Sequence, residues 1–125
     1  MKTLSKCILA AALLAIVSSS NFVVFAHSFP EEETPSAGQK LTSAPSEVKI
    51  KFDAPIEKIF AKLEVVGADG KNLAVGDPAI SDDGLHMSVK VNALNAGDYT
   101  VRWSVVGIDT HHTEGSYTFT VATGG

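Results

Sequence analysis

The chain has 125 residues, 45% of them hydrophobic and 19% charged, with 14 acidic against 10 basic side chains. That length holds one domain around a single core, and the acidic balance argues against a polyanion such as nucleic acid as a partner. The only cysteine, Cys7, lies in an N-terminal apolar segment, so neither a disulfide framework nor thiolate metal chemistry is open to the remainder.

Lys2 and Lys6 precede the apolar run Ile8–Val17, which gives way to Ser18, Ser19, Ser20 and Asn21. This three-part layout predicts a secretory signal over residues 1–26, with Val24-Phe25-Ala26 at the cleavage positions. The run is shorter than the roughly 18 to 20 residues that span a bilayer, so the mature chain is expected to have no membrane span. Cleavage after Ala26 leaves residues 27–125 as the domain, with His27 first and the balance shifted from −4 to −6 as Lys2 and Lys6 depart.

From His27 to Leu41 the chain is polar, with Pro30, Pro35, Gly38 and the triplet Glu31-Glu32-Glu33. It reads as extended or looped and not as a central strand, the triplet as a solvated loop. Period-two alternation then takes over, as where strands bury one face and wet the other. Val48, Ile50 and Phe52 alternate with lysines, and Leu63 and Val65 with Lys62 and Glu64. Met87, Val89 and Val91 follow, then Tyr99, Val101, Trp103 and Val105, then Tyr117, Phe119 and Val121. Turn chemistry punctuates these runs at 67–70, 81–84 and 95–98. With no helical periodicity, this predicts an all-β fold, an antiparallel Greek-key β-sandwich or barrel.

Three residues carry the expected chemistry. An N-terminal histidine offers a metal two nitrogens, because the α-amine and imidazole Nδ1 of His27 close a six-membered chelate ring. Asp109 and His111 stand two apart, so in an extended segment their side chains leave the same face and converge, while His112 points the other way. An amine, two imidazoles and a carboxylate suit the tetragonal preference of copper(II) better than an all-oxygen calcium or magnesium site, and copper stands above zinc in the Irving–Williams order. Binding must displace a proton from the amine, so affinity is expected to fall as the pH drops below about 7. His86 takes the solvent face of its strand, and Met87 is assigned to the core.

These residues resemble the CopC family of periplasmic copper-binding proteins. The likeness rests on Ala26-His27, Thr34-Pro35-Ser36-Ala37-Gly38, Ala44-Pro45, and Gly97-Asp98-Tyr99-Thr100-Val101-Arg102-Trp103-Ser104-Val105-Val106 running into Asp109-Thr110-His111, Gly115, Phe119 and Val121. It implies a cupredoxin-like or immunoglobulin-like sandwich and a histidine-brace-like set of His27 and His111 nitrogens with an Asp109 oxygen. It also implies one copper(II) ion per chain, without catalysis, and a role in copper resistance or trafficking. The implied partner is a CopD-like inner-membrane transporter or a periplasmic cuproprotein. Ala54 stands where some members have a glutamate near the metal, and Asp53 turns to the other face. No methionine-rich loop for copper(I) is present. The alternative from another class is a copper enzyme of the lytic polysaccharide monooxygenase type, which needs an exposed aromatic platform. Phe52, Tyr99, Trp103, Tyr117 and Phe119 fall in the inward register, leaving Phe29 and Phe60.

Overall fold

The computed structural model describes residues 28–123; the expected signal, residues 1–26, and His27 itself lie outside the described residues. Eight strands are described: β1 (Pro30–Thr34), β2 (Lys40–Leu41), β3 (Glu47–Phe52), β4 (Lys62–Val66), β5 (Ala74–Ile80), β6 (His86–Val91), β7 (Gly97–Val106) and β8 (His112–Val121). A 3₁₀ turn at Lys58–Phe60 is the one helical element among the described residues. None of their helices is long and apolar enough to cross a membrane.

The strands form two four-stranded sheets, ordered β1-β3-β6-β5 and β2-β8-β7-β4. All pairs run antiparallel except β2 with β8. The alternating apolar residues meet between the sheets. Val48, Ile50, Phe52, Val65, Met87, Val101 and Val105 are fully buried, and Tyr99, Trp103, Tyr117 and Phe119 are nearly so. Phe52 meets Trp103 edge-on at 5.5 Å between ring centroids, while Tyr99 stacks on Phe119 at the same separation. Gly115 lies beneath the Trp103 indole, where a Cβ would stand 2.7 Å from Cζ2.

Two stretches differ from the sequence expectation. The acidic triplet lies within β1, an edge strand rather than a loop, and Glu31 reaches Lys51 of β3 at 3.1 Å. The edge position explains both Pro30 and the acidic side chains, since such a strand is paired on one side and solvated on the other. β5 was hidden because Gly76, at φ +73°, and Pro78 break its alternation, and its pairing with β6 slips between Val75 and Ala79.

Candidate metal centre

The last rung between β7 and β8 pairs Val106 with His112, so residues 107–111 form the hairpin loop. Thr110 N donates to Gly107 O at 2.8 Å and Gly107 N to His111 O at 2.9 Å. Thr110 has φ +74°, and it is the only described residue other than glycine with positive φ. Short hairpin loops commonly close with a left-handed residue, usually glycine, and a β-branched residue there is strained.

The loop corrects the extended reading of Asp109 and His111. They converge because the chain turns back on itself and not because of strand alternation. Asp109 Oδ1 accepts from His111 N at 3.1 Å, while Oδ2 stands 3.1 Å from His111 Nδ1. The carboxylate thus holds the turn with one oxygen and faces the imidazole with the other. The His111 side chain is 42% exposed and that of Asp109 26%, so the pair is open to solvent on one side.

Residues that the sequence reading did not single out build the floor. Ser28 is fully buried. Its carbonyl accepts from Thr113 Oγ1 at 2.7 Å, and its Oγ donates to Pro55 O at 3.2 Å. Beside it, Phe29 N donates to Asp53 Oδ1 at 2.8 Å and Asp53 N returns a bond to Phe29 O at 2.9 Å. Asp53 therefore fixes the segment at Phe29. Gly107 is the spacer: a Cβ there would lie 2.7 Å from Asp109 Oδ1 and 2.9 Å from Ser28 Oγ. By the sum of those distances the two oxygens lie within about 5.6 Å of each other. No signal in the sequence marks Ser28 or Thr113. A β-branched residue following Asp in a hairpin could have pointed to Thr110 only once the loop length was known.

His112 starts β8 on the outer face, where its Nε2 lies 2.8 Å from Ser104 Oγ. His86 is exposed, with Nδ1 3.7 Å from Asp83. Met87 is buried, as expected. Among the described residues no three His, Cys, Asp or Glu side chains are grouped to hold a metal ion. Asp109 and His111 stand as a pair. Exposed Phe29, Ile59, Phe60 and Ile108 stand on the segments that converge at this end of the sandwich.

The pattern described as the CopC domain matches residues 30–122, most of the chain. The chain belongs to the CopC family. Among its relatives, protein YobA of Escherichia coli K12 is 31% identical over 112 residues, covering 86% of this chain and 90% of that protein. Copper resistance protein C of E. coli is 30% identical, with 97% and 99% covered. Copper transport protein CutJ of Bacillus subtilis is 31% identical over 78% of this chain, a stretch that makes up 18% of that longer protein. The crystal structure of CopC from Methylosinus trichosporium OB3b superposes with a TM-score of 0.69 at 29% identity, over 78% of this chain and 95% of that one. The β-sandwich is thus the CopC fold.

Proposed function

We propose that this protein is a periplasmic copper(II) carrier that binds one ion through the α-amine and Nδ1 of His27, an imidazole nitrogen of His111 and the Asp109 carboxylate. One observation carries the reading: the anchoring of Ser28 by Thr113 and Pro55 beside the Asp109–His111 pair. Ser28, whose Oγ lies within about 5.6 Å of Asp109 Oδ1, directly follows His27 in the sequence. Cleavage after Ala26 would make that residue an N-terminal histidine.

The donor set fits the cargo. It supplies nitrogen and oxygen without sulfur, which favours copper(II) over copper(I). Two electronegative atoms 3.1 Å apart repel unless a proton or a cation lies between them. In the loaded protein the ion would take that place, with the Asp109 carboxylate and an imidazole nitrogen of His111 as two of its donors. The half-exposed imidazole leaves the ion within reach of a receiving protein. That receiver or donor would be a CopD-like inner-membrane transporter or a periplasmic cuproprotein. The CutJ match supports a transport counterpart, since there a similar stretch is part of a much longer protein named for copper transport.

The carrier reading has no turnover. The aromatic side chains expected inside are buried, and Phe29 and Phe60 are the exposed aromatics among the described residues, too few for the flat platform a polysaccharide-oxidising enzyme uses. Copper(II) titration of the chain starting at His27, set beside His111→Ala and Asp109→Asn, tests the assignment. One tight equivalent is expected, weakened by His111→Ala beyond the roughly 10- to 100-fold that outer-shell changes cost. Unchanged affinity in both variants would refute it.

A further inference from the structure

The hairpin that carries the Asp109–His111 turn carries a second set of donors on its opposite side. His112 and Glu114 alternate along β8 and so leave the same outward face. Ser104 of β7 is directly opposite Glu114 in the ladder. His112 Nε2 lies 2.8 Å from Ser104 Oγ and 3.9 Å from Glu114 Oε2. Next to them the outer face dips into a depression of about 490 Å³, lined among others by Ser104, Glu114, Lys62, Arg102 and Ser116. The short hydroxyl side chains of Ser104 and Ser116 leave that space between the longer charged ones.

We propose that His112, Glu114 and Ser104 form a second, weaker site for a borderline divalent cation such as copper(II), separate from the turn and independent of the reading given above. An imidazole, a carboxylate and a hydroxyl are the nitrogen and oxygen donors such ions accept. Two donors about 2 Å from one ion stand roughly 2.8 to 3.3 Å apart. The imidazole and carboxylate must therefore close by about 1 Å, which small rotations achieve because both side chains are more than half exposed. The depression leaves room for the water molecules that complete the coordination. Lys62 is opposite Ser104 on β4, while Arg102 lies two pairs further along and is itself opposite Glu64, so Lys62 is the cation that most limits the affinity of the site. The site would be occupied after the first and filled only at high metal load, placing a second ion on the same hairpin without sharing a ligand.

The test is copper(II) titration of the chain starting at His27, carried past one equivalent and read by calorimetry and electron paramagnetic resonance. The proposal expects a second equivalent that binds at least tenfold more weakly than the first. His112→Ala and Glu114→Gln should each abolish it, and His111→Ala should leave it in place while weakening the first. The exposed positions make misfolding a poor explanation for any loss, and circular dichroism of each variant checks this. Absence of a second equivalent would overturn the proposal, as would its persistence in His112→Ala. So would loss in His112→Ala with Glu114→Gln unchanged, which would reduce the site to a single imidazole. Failure of the turn site would instead show as an unchanged first equivalent in His111→Ala.

Discussion

The two ends of the sandwich solve the same problem, closing a sheet without stranding polar groups, in opposite ways. At the end holding the 67–73 and 92–96 loops, the side-chain bonds made by the loop residues are local. Asn72 Oδ1 accepts from Val65 N and Ala74 N, Asp69 Oδ1 from Lys71 N, and Tyr99 donates to Asn95 O. Gly70 and Gly97 take the positive φ angles there. At the opposite end, side-chain bonds that span long stretches of chain join the local ones of the turn: Thr113 holds Ser28, 85 residues earlier, and Asp53 holds Phe29. There the positive φ of the β7–β8 loop falls on Thr110. Local bonds suffice to finish a strand. Long-range ones are needed to bring the Ser28 segment against a particular turn, and strain at such a position is typical of functional segments.

The largest expected effect separates the two ends. Thr113→Val should leave the buried Ser28 carbonyl without its donor and destabilise the fold by about 1 to 3 kcal/mol, while also weakening copper(II) binding. Asn72→Ala should destabilise by a comparable or smaller amount, about 1 to 2 kcal/mol, and leave copper affinity unchanged. Urea denaturation and metal titration of both variants decide this. Equal effects on copper would erase the distinction between the ends.

Next in size is Thr110→Gly, which should relieve the left-handed strain and raise stability by about 1 kcal/mol. Loss of stability in urea would mean that the Thr110 side chain contributes more than its backbone strain removes.

The smallest effect lies along the sheet edge. Burial raises the Glu33 carboxyl above its ordinary value of 4.5. A carboxyl raised in the fold favours the folded state while protonated, and that contribution fades as the pH climbs through the raised value. Glu33→Gln should therefore flatten the stability profile on the alkaline side of pH 4.5, by a modest amount because the group is only part-buried. Burial, and to a lesser degree the Glu33 charge, also push the Tyr117 phenol well above its ordinary value. A profile unchanged by the substitution would remove Glu33 from this account.

The fold was legible wherever one face of a strand is buried, because alternation of Val48-Ile50-Phe52 or Tyr99-Val101-Trp103 encodes both the strand and its inward side. It was illegible in β5, where Gly76 and Pro78 erase the period, and in β1, where an edge strand tolerates consecutive acids. Asp109 and His111 were found by residue type and spacing, yet for the wrong geometric reason. A hairpin loop brought them together, and its left-handed position is filled by Thr110 where glycine would have announced the turn. Ser28, Thr113 and Gly107 were invisible because their roles depend on contacts across 79 to 85 residues of chain, which no local pattern records.

The central claim is that the chain begins its mature life at His27 so that its amine can join the Asp109–His111 pair. The measurement that tests it is copper(II) binding by the chain starting at His27, compared by electron paramagnetic resonance with a version carrying one extra N-terminal residue. The account predicts one tight, nitrogen-rich site in the first and a sharply weaker one in the second. Equal affinity and identical spectra from both would contradict it.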